Sequence, residues 1–206
     1  MEKYTTVFEE ATAEYEEKRS RFIATLRHCE SEQEAKGFID EMRSKYWDAR
    51  HNCFAFVTEK GRLCRFSDDG EPQGTAGKPI LEVLTGSGVV DIAVVVTRYF
   101  GGTLLGTGGL VRAYTKATQD ALANAKKVEM VPCTVYGVEC EYADHQKLVY
   151  LIENTFGDVV DTQFADKITL QVAYRDEHAE AFLSKLRETF SARLQALEIQ
   201  RKMVGF

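Results

Sequence analysis

The chain has 206 residues, of which 44% are hydrophobic and 28% charged, and this length has room for one large or two small domains with ordinary apolar cores. Its net charge of −6 argues against indiscriminate nucleic-acid binding by the whole molecule. The glutamate-rich first 20 residues contain no apolar secretion signal and no later apolar run is long enough to cross a bilayer, so a cytoplasmic protein without a membrane role is expected.

Alternating apolar residues over 20–28 predict the first strand, and the acidic stretch before it is a candidate hairpin partner. Ser31 and Glu34 form a capping-box pattern. The apolar residues that follow, as far as Tyr46, fall on one helical face. The chain therefore begins with strands followed by a helix.

A hairpin is predicted next, with strands over 53–58 and 63–66. The segment 67–79 contains glycines, prolines and acids in a mixture that no regular element tolerates, and it predicts a loop. Pro79 suits the first turn of a short helix that Gly86 is expected to end.

The stretch 97–114, TRYFGGTLLGTGGLVRAY, follows a continuous apolar run typical of a buried strand. Five glycines fall within nine residues: Gly101, Gly102, Gly106, Gly108 and Gly109. From Leu110 onward, apolar residues recur at helical spacing, so the segment predicts a strand, a glycine-rich turn and a helix. Such a turn either binds an anion at the helix N-terminus or only allows tight packing. The pattern is neither a P-loop nor a dinucleotide fingerprint.

Two arginines, Arg98 and Arg112, flank this turn and are candidate ligand-binding residues together with the five glycines. A guanidinium can add bidentate contacts to a phosphate held by the backbone. Alternatively, either arginine pairs with the acidic loop and fixes it in place.

The acidic loop supplies Asp68, Asp69 and Glu71, which we assign with His51 to a supporting loop beside the turn. Carboxylates and an imidazole are potential ligands of a divalent metal, whereas Asp-Asp-Gly-Glu-Pro is also ordinary turn chemistry. The second interpretation is favoured, and no metal site or cofactor is predicted. The five cysteines contain no C-x-x-C pair, which indicates buried or reduced thiols.

Basic residues cluster in the first part of the chain. From residue 43 to 65 there are six Lys or Arg against two acids, and from 95 to 127 there are five against one. Arg112 and Lys116 lie four apart on the polar side of the predicted long helix, and they are the candidate nucleic-acid contacts. After Met130 the balance is eight basic to twelve acidic residues, so a basic face is expected only on the first domain.

A change of composition over 126–132 predicts a boundary between domains 1–130 and 131–206. In the second domain the predicted strands cover 133–142, 158–164, 167–174 and 193–200. Asp144 and Asp176 are expected to cap the two helices between them. The resulting order, βαββαβ, is the ferredoxin-like motif, and the whole chain is assigned to the α+β class.

Three motifs carry a resemblance to a known family: HNCFAFV at 51–57, FSDDGEPQGTAGKPIL at 66–81 and RYFGGTLLGTGGLVRAY at 98–114. In this order they resemble the Impact/YigZ family. The resemblance implies a bacterial two-domain protein. It further implies that the first domain is similar to the second-domain fold of a small-subunit ribosomal protein, and the second to a C-terminal domain of elongation factor G. Eukaryotic relatives act as translational regulators.

No nucleophile elbow or other catalytic constellation is present, which favours a binding protein over an enzyme. The first hypothesis is a non-catalytic cytoplasmic protein, monomeric, that binds RNA or a ribosome-associated partner. The second is an enzyme or sensor for a phosphorylated small molecule that uses the glycine turn. The third is a protein-interaction module without nucleic acid.

Overall fold

A computed structural model describes residues 2–205. Within these residues the chain is mixed α and β, with ten strands and five helices. It divides into two compact units: residues 4–129 form the first, and residues 130–205 together with residues 2–3 form the second.

The first unit is built on an antiparallel five-stranded sheet. Its five strands are β2 (Ala11–Glu17), β3 (Ser20–His28), β4 (His51–Thr58), β5 (Leu63–Ser67) and β6 (Ile92–Tyr99), and β1 (Tyr4–Val7) precedes them in the chain without belonging to this sheet. Its helices are α1 (Glu32–Lys45), α2 (Gly77–Ser87) and α3 (Gly106–Asn124). The sheet order is β2-β3-β6-β4-β5, so β6 is central and β2 and β5 are opposite edges.

Helices cover both faces of this sheet because its central strands are apolar on both sides. Phe22 on β3, and Val94 and Val96 on β6, belong to a core shared with α2 and α3. Val95, on the opposite face of β6, packs with α1. The predicted buried strand, glycine turn and long helix are confirmed, and β2 is the predicted hairpin partner of β3.

The predicted helix ends are partly wrong. Ser31 caps α1 as expected, since its side chain accepts from the Glu34 N–H at 3.2 Å. The helix α2, however, continues past Gly86 and ends at Gly88, which has a φ of 71°. Gly86 lies in open space inside the last turn. The helix thus ends at the glycine that adopts a left-handed conformation, Gly88. A glycine at position 86 is not by itself enough to end it.

The second unit has the predicted βαββαβ order. Its elements are β7 (Lys127–Cys140), α4 (Tyr142–Asn154), β8 (Asp158–Phe164), β9 (Ile168–Arg175), α5 (Asp176–Thr189) and β10 (Ala196–Gly205). Their sheet order is β10-β7-β9-β8, with antiparallel neighbours. Apolar side chains of α4 and α5 pack on one face of this sheet.

Two capping predictions for this unit are wrong. Asp144 lies in the first turn of α4 and pairs with Arg193, while Glu141 is the N-cap. Asp176 is the first residue of α5 and accepts a hydrogen bond from the Thr134 hydroxyl. Both carboxylates still lie at a helix N-terminus, where negative charge is favourable. β7 begins at Lys127, whereas the predicted strand begins at 133. β10 covers Ala196–Gly205, whereas the predicted strand covers 193–200.

Candidate functional site

The acidic loop between β5 and α2 is held by its own aspartates. The Asp68 carboxylate accepts from the backbone N–H groups of Gly74 at 2.8 Å, Ala76 at 3.0 Å and Gly77 at 2.8 Å. The last two are at the start of α2, whose N-cap residue provides no side-chain bond. Asp68 therefore occupies the anion site that this helix N-terminus offers.

Asp69 connects the same loop to β4 and α1. Its carboxylate accepts from the Asn52 N–H at 2.7 Å and from Arg43 at 2.9 Å. A ring nitrogen of His51 lies 2.8 Å from the Asp69 carbonyl oxygen. The three predicted loop residues Asp68, Asp69 and His51 are thus brought together, and their partners are backbone groups and one arginine.

A buried polar cluster lies beneath this loop. Glu71 accepts from the Arg98 guanidinium at 2.6 Å and from the Tyr114 hydroxyl at 2.8 Å. Only 3% of the Glu71 side chain and 8% of the Arg98 side chain are exposed. The ion pair that fixes the acidic loop is one of the two roles that the sequence leaves open for Arg98.

The thiol of Cys53 extends this cluster. Its sulfur lies 3.0 Å from the Asp68 carbonyl oxygen and 3.3 Å from the Tyr114 hydroxyl. Burial raises the pKa of both Cys53 and Tyr114, so the two groups are protonated at neutral pH. A protonated thiol is a poor nucleophile, and this cluster is suited to holding the loop rather than to covalent chemistry.

The glycines of the turn have different structural roles. A Cβ at Gly101 would lie 2.1–2.3 Å from backbone atoms of Arg19 and Ser20, so this glycine allows the β2–β3 turn to cross the glycine-rich turn. Gly102 and Gly106 have φ values of 85° and 70°, which favour glycine.

The last two glycines lie in the first turn of α3 and differ in their surroundings. A Cβ at Gly109 would lie 3.0 Å from Leu105, which is a tight contact. At Gly108 the nearest atom would be a guanidinium nitrogen of Arg112 at 3.7 Å, an ordinary distance. The packing within the first unit therefore explains Gly109 better than Gly108.

A groove of about 320 Å³ lies between the β2–β3 turn and the first turns of α3. It is lined by Tyr15, Glu17, Lys18, Leu105, Gly109, Arg112, Ala113 and Lys116. Three of these residues are cationic and one is acidic. We call this feature the cationic groove.

The charges of the cationic groove are incompletely neutralised. Glu17 accepts from the Tyr15 hydroxyl at 2.9 Å, and this hydrogen bond raises the pKa of Tyr15, while the nearby Lys116 and Arg112 act in the opposite direction. Lys116 pairs with Asp120 at 2.6 Å on the helix surface. Among residues 2–205 no ion pair of Arg112 is present, and the first turn of α3 contains no acidic residue. The groove therefore presents net positive charge beside a helix N-terminus.

The predicted site residues form two groups in the structure. Arg98, Glu71 and the loop residues around them are bound to one another, whereas Arg112 and Lys116 lie in the cationic groove. Sequence reasoning missed Lys18 and Arg19, because they follow the glutamate-rich strand that dominates the first 20 residues. The signal available in the sequence was two consecutive cations immediately before a predicted strand. In the structure both residues lie in the β2–β3 turn with positive φ.

Comparison with known proteins identifies the family. A family model described as the Impact N-terminal domain matches residues 18–122, and a second, described as a domain of unknown function (DUF1949), matches residues 138–193. The chain belongs to the IMPACT family.

Whole-chain relatives of the same family are similar over nearly their full length. The Escherichia coli (strain K12) IMPACT family member YigZ is 38% identical over 97% of this chain and 100% of its own. An IMPACT family member of Haemophilus influenzae is 41% identical, with 96% of each chain covered. A solved structure titled as that of a hypothetical protein is 38% identical, covers 97% of this chain and 98% of its own, and has a TM-score of 0.64.

No helix within residues 2–205 is long and apolar enough to cross a membrane. In the same residues no group of three or more His, Cys, Asp or Glu side chains is arranged to hold a metal ion.

Proposed function

We propose that this IMPACT family member is a non-catalytic RNA-binding protein whose first unit holds the phosphate backbone in the cationic groove. The observation that carries the proposal is the convergence of Lys18, Arg112 and Lys116 on one groove at the open N-terminus of α3. Cations and unpaired helix N–H groups are the donors that bind phosphate oxygens. A cytoplasmic role in translation is part of the proposal, and it is what the resemblance to the Impact/YigZ family implies.

Three features support a binding role over catalysis. The carboxylates of Asp68 and Glu71 are engaged in fixing the acidic loop, as are Arg98 and Tyr114. The nearby thiol, Cys53, is buried and protonated. The cationic groove beside the glycine turn stays open to a ligand, and its one hydroxyl–carboxylate pair, Tyr15 with Glu17, raises the pKa of the tyrosine and so does not activate it as a nucleophile.

Arg19 extends the positive surface beyond the groove. It is exposed at the β2–β3 turn and donates to the Thr103 hydroxyl at 3.4 Å, across the glycine-rich turn. The cations Lys18, Arg19 and Arg112 thus come from two separate segments on one side of the first unit. The Lys116–Asp120 pair is exposed and contributes only about 0.3–0.5 kcal/mol, so a phosphate can replace Asp120 as the partner of Lys116.

Charge reversal tests this proposal directly. The variant Lys18→Glu/Arg112→Glu should lose most of its affinity for a fluorescent RNA at low salt. The matched control is Arg62→Glu/Arg65→Glu, which changes the net charge equally at exposed positions on or beside β5, across the sheet from β2. Equal losses in both variants would show that overall charge, not the groove, governs binding.

A thermal-shift panel of nucleotides and sugar phosphates separates RNA binding from recognition of a small phosphorylated ligand. A ligand at 100 times its dissociation constant should stabilise its binding protein by about 2.7 kcal/mol. A shift with one small compound and no affinity for RNA would favour a small-molecule sensor. Absence of both would favour a protein-interaction module.

A further inference from the structure

We infer that the RNA bound by the first unit is single-stranded and that one of its bases stacks on Phe100, which lies beyond Arg19 from the cationic groove. This inference rests on the proposed function and names its substrate class. Phe100 follows β6 directly and is 51% exposed, although the strand before it is almost entirely buried.

The ring of Phe100 is supported from one side. The central carbon of the Arg98 guanidinium lies over it, 5.6 Å from the ring centroid. Since Arg98 is fixed by its buried ion pair with Glu71, the support is rigid. Because the guanidinium lies over one face of a ring that is half-exposed, we place the stacked base on the other face.

The backbone beside Phe100 is also fixed. The Gly101 N–H donates to the Ser20 hydroxyl at 3.1 Å, and Gly101 packs against the backbone of Arg19 and Ser20 with no room for a side chain. An exposed aromatic ring on a fixed backbone loses little entropy when a base stacks on it. This is the property expected of a stacking platform.

Cations lie on the neighbouring segment. Arg19 crosses the glycine-rich turn beside Gly101, and Lys18 continues into the cationic groove where Arg112 lies. A row of cations next to an exposed aromatic ring is the arrangement that binds single strands, because phosphates follow the charges while an unpaired base reaches the ring. In a duplex the bases are stacked on one another and do not reach such a ring.

The test measures three ligands by fluorescence anisotropy: a short labelled oligouridylate, an RNA duplex of the same length, and polyphosphate as an unlabelled competitor. Phe100→Ala should weaken oligouridylate binding by about 5- to 150-fold, and leave duplex and polyphosphate binding unchanged. The matched control is Phe66→Ala, which removes a phenylalanine of similar exposure, 47%, on the edge strand β5. It should bind like the wild type, and thermal unfolding checks that both variants are folded.

The outcomes separate the inference from the function on which it rests. If the wild type binds none of the RNAs at low salt, the proposed function fails. If it binds RNA and Phe100→Ala has no effect, or weakens duplex and polyphosphate binding equally, the function stands and the stacking inference is overturned. Selective loss of oligouridylate affinity supports both.

Discussion

The guanidinium of Arg98 donates to the carboxylate of Glu71 at 2.6 Å, and both side chains are more than nine-tenths buried. A buried ion pair gains little over an apolar pair of the same volume, but removal of one partner leaves an uncompensated charge. Here the pair joins the central strand β6 to the acidic loop, and Tyr114 of α3 donates to the same carboxylate oxygen. The organisation of the loop therefore depends on this contact.

Breaking the pair from either side should be strongly destabilising. Arg98→Met and Glu71→Leu should each lower the free energy of unfolding by about 3–5 kcal/mol, and the double variant should lose less than the sum. Urea unfolding measures these values. Arg21→Met, which removes an exposed pair with Glu14, should lower the free energy of unfolding far less than either of these variants. Additive single losses would show that the two charges act independently.

Two glycines of the turn should respond in opposite ways to alanine. Gly101→Ala forces a Cβ into the backbone of the β2–β3 turn and should cost about 3 kcal/mol or more. Gly108→Ala meets no obstruction, and its better helix propensity should stabilise the protein by up to about 1 kcal/mol. Gly86→Ala in α2, also in open space, is the control for helix propensity.

The variants Gly108→Ala and Gly86→Ala also test whether RNA approaches the chain closely at Gly108. If RNA approaches the α3 N-terminus closely at Gly108, Gly108→Ala should keep or gain stability and lose RNA affinity. Gly86→Ala should keep both. Unchanged RNA affinity in Gly108→Ala would mean that no ligand approaches closely at that position.

Asp91 should make stability depend on pH in the acidic range. Burial raises the pKa of this carboxyl above its ordinary value of 3.8, so the folded protein binds the proton more tightly than the unfolded chain. The stabilising contribution is complete below about 3.8 and is lost as pH rises through the folded-state pKa. Asp91→Asn removes this dependence and tolerates the φ of 53° at this position. In urea unfolding, its stability relative to the wild type should therefore rise from pH 4 toward neutrality; a flat or falling difference would contradict the assignment.

Thiol reactivity distinguishes a fixed cluster from a reactive one. Burial raises the pKa of Cys29 to about 12 and that of Cys53 as well, whereas Cys64 is only half-buried. Iodoacetamide at mildly alkaline pH should therefore label Cys64 first, as followed by mass spectrometry of the folded protein. Early labelling of Cys53 would show that the cluster beneath the acidic loop opens readily.

The elements of both units were largely predictable because hydrophobic periodicity is local. The strand and helix on either side of the glycine turn follow from the apolar run that ends near Arg98 and from the helical spacing after Leu110. Helix ends were less predictable. Gly86 and Gly88 are equivalent as a pattern, and only the backbone conformation shows which one ends α2.

The candidate site was predictable only in part, because its contacts depend on strand register. Arg98 reaches Glu71 since β4 and β6 pair His51 with Arg98, and that register brings the acidic loop over the end of the central strand. Likewise, Lys18 and Arg19 reach the glycine-rich turn because β3 pairs Arg21 with Tyr99. Neither register follows from composition or spacing. The sequence therefore left two roles open for Arg98 and did not indicate Lys18 as a candidate binding residue.

The most direct test of the cationic groove is the salt dependence of RNA affinity. If Lys18, Arg19, Arg112 and, in part, Lys116 contact phosphates, the logarithm of the binding constant should fall with the logarithm of salt concentration at a slope of about 2 to 3.5. Arg112→Ala should lower that slope by about 0.7–0.9, the value for one lost contact, and Arg65→Ala should leave it unchanged. No RNA affinity at low salt, or equal slopes in Arg112→Ala and Arg65→Ala, would contradict RNA binding through this groove.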